Sequence, residues 1–94
     1  MWRPDNIVVM GNLLYVWSED GRMLYRLDTN TGKADALDLR DVGFGDAYIR
    51  RDFTRSFAMQ DAVTCYFGFG PDVVSVSLVK AYWRAISETI VAAA

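Results

Sequence analysis

Three short turn signals, spaced about ten residues apart and separated by β-branched and aromatic runs, most constrain what this chain can become. Ile7-Val8-Val9-Met10 and Leu13-Leu14-Tyr15-Val16-Trp17 flank Gly11-Asn12, a two-residue combination suited to a tight hairpin. Asp20-Gly21 supplies the next turn, and Met23-Leu24-Tyr25-Arg26-Leu27 alternates as a strand. Asp28-Thr29-Asn30-Thr31-Gly32 is the third turn, rich in side chains that bond their own backbone. Lys33 to Leu39 then reads as a fourth, partly polar strand at an edge. A meander is the only economical way to connect such runs.

The pattern changes after Asp41-Val42-Gly43-Phe44-Gly45, read as a joint inside a single domain covering residues 1–94. Ile49, Phe53 and Phe57 fall four apart behind Asp46, a spacing that predicts a short second helix near 46–59, with an irregular strand through Tyr48–Phe53 as the alternative. Ala62 to Phe69 is dense in strand formers. Residues 72–78 fit either a strand, by the alternation of Val74, Val76 and Leu78 with Ser75 and Ser77, or the start of a long helix behind Pro71. Val79, Tyr82/Trp83, Ile86 and Ile90 form a helical stripe, with Lys80, Arg84 and Glu88 opposite. The expectation is an α+β fold: a small twisted antiparallel sheet, a meander of about four to six strands, packed by a C-terminal α-helix.

Gly11 to Trp17, Asp20 to Asp28 and Thr31-Gly32-Lys33 together resemble one blade of a quinoprotein-like β-propeller. The resemblance covers about a third of the chain and implies a strand–turn–strand meander; a propeller repeats the unit at least about four times, and the chain holds no second copy.

Composition narrows the chemistry. The 94 residues are 52% hydrophobic and 23% charged, contain no histidine and only one cysteine, and balance 10 basic against 12 acidic residues. The commonest general base and metal ligand is missing, no internal disulfide can close, and a net charge of −2 gives no general pull toward nucleic acid or an anionic membrane. Cys65 lies in Val63-Thr64-Cys65-Tyr66-Phe67, the setting of a buried structural thiol suited to a reducing cytoplasm. The short apolar run before Gly11 is too brief for a signal peptide, and no stretch is long enough to span a bilayer.

Motifs that begin well end badly. Gly32-Lys33 lacks the remainder of a phosphate loop, with Leu27 and Ala34 at its diagnostic positions. Gly43-Phe44-Gly45 and Gly68-Phe69-Gly70 have Tyr48 and Val73 where a dinucleotide fingerprint needs its third glycine. Asp28, Asn30 and Gly32 match part of a calcium loop whose twelfth position is Leu39. No cofactor or metal is therefore expected.

Binding is the remaining expectation. Asp35, Asp38, Asp41 and Asp46 form an acidic series that could mimic phosphates toward a basic protein. Arg50, Arg51 and Arg55 form the converse patch, and Trp2, beside Arg3 and Pro4, could seal a subunit interface. The arginine excess of eight over two lysines and an aromatic content of 14% match protein-binding surfaces. The sequence thus points to a small cytoplasmic, non-enzymatic interaction protein whose partner is a protein, such as the basic nucleic-acid-binding surface of a larger complex, with no direct contact to nucleic acid or membrane. By analogy of class it resembles a phage or mobile-element inhibitor of a host machine, of the anti-CRISPR kind. The alternatives are a self-assembling structural or accessory subunit of the virion type, forming a homodimer or larger homo-oligomer, and an enzyme using Asp41, Asp46 or Asp52 alone.

Overall fold

A computed structural model describes residues 6–44, 55–69 and 71–86. Strands β1 (Ile7–Met10), β2 (Leu13–Trp17), β3 (Met23–Asp28) and β4 (Ala34–Asp38) form the antiparallel meander that the turn spacing predicts. Gly11 takes a left-handed φ of 60° at the first hairpin, a conformation that a Cβ would disfavour. Strands β5 (Arg55–Asp61), β6 (Thr64–Phe69) and β7 (Asp72–Ser77) form a second antiparallel sheet. Strand β8 (Arg84–Ile86) returns to the first sheet, whose order is β1-β2-β3-β4-β8.

This is a nearly all-β protein, not α+β. Residues 78–83 form a turn and an extended approach to β8, and Arg84–Ile86 pairs with Ala34–Ala36, so the C-terminal helix fails over its first half; residues 87–94 lie outside the description. The stripe fails because its members point different ways: Val79 is 69% exposed, whereas Trp83 packs on the core and Ile86 joins the outer face of the sheet. The helix near 46–59 fails over Arg55 to Met59, which are strand, since Phe57 and Met59 alternate inward against the core; residues 46–54 are outside the description. The 72–78 ambiguity resolves as strand over Asp72–Ser77. Strand β4 is not an edge, because β8 covers part of it. The blade-like stretch is β2 and β3 with their turns, set in a five-stranded sheet.

One apolar core joins the two sheets. Alternation puts Tyr15, Trp17, Leu24 and Leu37 on the inner face of the first sheet, where they meet Phe57, Cys65, Phe67 and Val76 of the second. Trp17 is 1% exposed, edges onto Phe67 with centroids 4.7 Å apart, and donates its Nε1–H to the Gly21 carbonyl at 3.0 Å. Asp38 caps a single 3-10 turn at Leu39–Val42, which Gly43 closes at φ 89°. That closure turns Phe44 inward, 4.9 Å from Phe67, so Gly43 serves the core. The opposite face of the first sheet carries a smaller apolar cluster of Val16, Leu27 and Ala34, flanked by Ile7, Leu14, Tyr25 and Ile86.

Candidate interaction surface

Two members of the acidic series, Asp35 and Asp38, are paired within the chain. On β4, Asp35 receives the Arg26 guanidinium at 2.8 Å from the directly opposed position on β3. That guanidinium also lies 4.1 Å from the centre of the Trp83 ring, and Trp83 meets Tyr15 edge-on at 6.4 Å. Asp35, Arg26, Trp83 and Tyr15 therefore form a continuous stack that binds the approach to β8 onto the inner face of the first sheet. Asp38 accepts the Arg40 backbone N–H at 3.0 Å and lies 3.4 Å from the Arg40 guanidinium and 3.9 Å from that of Arg22. The Arg40 side chain, aided by that N–H, holds the Asp38 carboxyl below its ordinary range. Asp41 is exposed in the 3-10 turn.

Of the other residues singled out from sequence, Trp2, Asp46, Arg50 and Arg51 lie outside the description, as does Asp52. Arg55 opens β5, opposite Phe69. The structure thus sets Asp35 and Asp38 on the same strand but, three residues apart, on opposite faces of the sheet, and gives each to arginines of the same chain, with Asp41 following in the 3-10 turn.

The partial motifs resolve into local structure. Asp28 Oδ1 accepts the Asn12 side-chain amide and the Asn30 N–H, both at 2.9 Å, and the Thr31 N–H at 3.4 Å. These donors, led by Asn12, hold the Asp28 carboxyl below its ordinary range and tie the third turn to the first hairpin. Gly68 sits opposite Ser56, where an added Cβ would meet the serine hydroxyl. Cys65 is fully buried, and burial pushes its thiol up to about 12, so it carries no thiolate at neutral pH. Among the described residues, no three of His, Cys, Asp and Glu gather as a metal site would require.

A different surface emerges at the turns of the second sheet. The Leu78 N–H donates to the Val63 carbonyl at 2.6 Å, which joins the β5–β6 turn to the start of the segment leading to β8. Val63, Val79 and Tyr82 are 41%, 69% and 66% exposed. Sequence reasoning missed this surface because it assigned Val79 and Tyr82 to the buried stripe of a helix. The clue was Lys80, interleaved within the apolar run.

No helix among the described residues is long and apolar enough to cross a membrane. Comparison with known proteins finds no matching family model, no similar curated protein and no similar solved structure.

Proposed function

We propose that this chain works by binding another protein, not by turning over a substrate, and that it acts in the cytoplasm as an inhibitor that occludes a larger machine, in the manner of anti-CRISPR proteins. The observation that carries the binding reading is the exposure of Val63 and Val79, brought near each other by the Leu78 N–H to Val63 carbonyl bond, and of Tyr82 three residues further along the segment leading to β8. Neighbouring large apolar side chains left in water favour a partner that covers them. The one cysteine fits the same reading. The buried Cys65 thiol is a poor nucleophile at neutral pH.

The test is to purify the tagged full chain from its native host after brief crosslinking and to identify what comes with it. A stoichiometric protein complex that reforms from purified components is expected. A chain that recovers no protein, yet turns over a substrate in a manner abolished by Asp41→Asn, would establish the carboxylate enzyme instead.

Self-assembly is the second reading, favoured by β7. This strand has no hydrogen-bonded neighbour on its outer edge among the described residues, and its Val73 is 70% exposed. Sedimentation across a concentration series, with Val73→Lys as control, distinguishes it: an oligomer that the lysine dissolves favours the structural subunit.

A further inference from the structure

The segment leading to β8 sorts its side chains by charge and burial. Ala81 and Trp83 pack against the core, whereas Val79, Lys80, Tyr82 and Arg84 are exposed. Arg22, Arg26 and Arg40 each face a carboxylate of the same chain, but neither Lys80 nor Arg84 has an ion-pair partner among the described residues. Arg84 instead places its guanidinium 5.6 Å from the centre of the Tyr82 ring, so a cation and an exposed aromatic share one side of the strand. Val63 lies beside the start of the segment through the Leu78 N–H to Val63 carbonyl bond.

We infer that Val63, Val79 and Tyr82, with Lys80 and Arg84, form a docking surface for an acidic segment of a partner protein. The partner sets an apolar side chain against Val79 and Tyr82, and its carboxylates meet Lys80 and Arg84. This inference rests on the protein-binding reading above and names the partner's chemistry. Charge complementarity selects the occupant, because these two exposed cations have no ion-pair partner among the described residues, whereas Arg22, Arg26 and Arg40 each have one. Recognition is short-ranged: a chain of net charge −2 exerts no distant pull on an acidic partner, and salt screens charges beyond about 8 Å. The exposed valines favour protein over nucleic acid, since a phosphate backbone offers them nothing to pack against.

The test uses the immobilised full chain to select from a random-peptide display library, with labelled oligo-dT as a parallel probe. Selected peptides should combine Asp or Glu with Phe, Leu or Trp, and Tyr82→Ser should weaken their binding by about tenfold or more. The paired change Lys80→Glu and Arg84→Glu should reverse the preference toward basic peptides. Both sets of residues are exposed, so thermal melting should match the parent; Lys80→Glu alone replaces the pair if β8 is disturbed. Enriched peptides that bind all variants equally would overturn this surface while leaving the protein-binding reading intact. Salt-sensitive oligo-dT binding that the glutamates abolish, without acidic peptides, would make it a nucleic-acid surface. If no peptide is enriched and the native host yields no partner, both readings fall.

Discussion

Replacing Trp17 with alanine removes the side chain on which both sheets converge. The indole is 1% exposed and lies against Phe67 at 4.7 Å, Phe57 at 6.3 Å and Phe44 at 6.4 Å. Loss of a buried tryptophan costs about 3–5 kcal/mol in transfer and cavity terms. The aromatic pairs add about 0.5–1.5 kcal/mol each beyond area, reduced where the three phenylalanines relax into the void. The Gly21 carbonyl also loses its donor, at about 1 kcal/mol or more. A total near 5–7 kcal/mol is expected, against about 5–14 kcal/mol for the whole stability of a domain this size. Trp17→Ala should therefore be largely unfolded or close to it at 25 °C. Trp17→Phe retains a ring, loses the Gly21 bond and should cost about 1–3 kcal/mol. Trp83 is only half-buried, so Trp83→Ala should cost about 1–3 kcal/mol through its contacts with Tyr15 and Arg26. Urea unfolding followed by far-UV circular dichroism measures all three without depending on the residue removed. Equal losses at Trp17 and Trp83 would refute the claim that the sheets are joined through Trp17.

The Cys65 thiol should resist a disulfide reagent at mildly alkaline pH in the native protein and react fully in denaturant; fast native labelling would contradict its burial. Because Asp38 is held below its ordinary value of 3.8 in the fold, its contribution is fully present above that value and is lost as pH falls through the lower folded value. Melting the parent and Asp38→Asn across that range should show a gap that closes only on the acid side; a gap that closes near neutrality would refute the assignment. Gly68→Ala should destabilise through the Ser56 hydroxyl, and adding Ser56→Ala should recover most of the loss, since the Cβ of residue 56 stands at an ordinary 3.5 Å. Additive losses in that double-mutant cycle would rule the contact out. Arg26→Met should loosen Trp83 and red-shift its emission, a change absent if Trp83 is held by Tyr15 alone.

The meander from Ile7 to Asp38 was legible because its turns and its alternation are local, and each can be read within a few residues. Strand β8 was not. Val79, Tyr82/Trp83 and Ile86, spaced by threes and fours, satisfy a helix as well as anything local can, but Ala34–Ala36 offers a ladder and Arg26 offers its face to Trp83, and neither is visible from residues 79–86. Tertiary pairing outweighed propensity there, as in Phe57, whose inward place depends on Phe67 and Trp17. For the surface, sequence found the aspartates but not their occupancy. That Asp35 opposes Arg26 follows from the register, which the third turn sets and a shift of one residue would invert.

The late arrival of β8 has a kinetic consequence. Strands β1 to β4 can zip sequentially, each hairpin closing a short loop, whereas β8 pairs with a strand roughly fifty residues earlier and must close a long one. A nascent chain emerging from the ribosome would expose the outer ladder of β4, with Trp83 not yet laid over Arg26, until the last residues of the strand are made. During that interval the five-stranded sheet is four-stranded with an open edge, and a second nascent copy could capture it. Folding at high local concentration should thus produce swapped or aggregated species that dilute refolding does not.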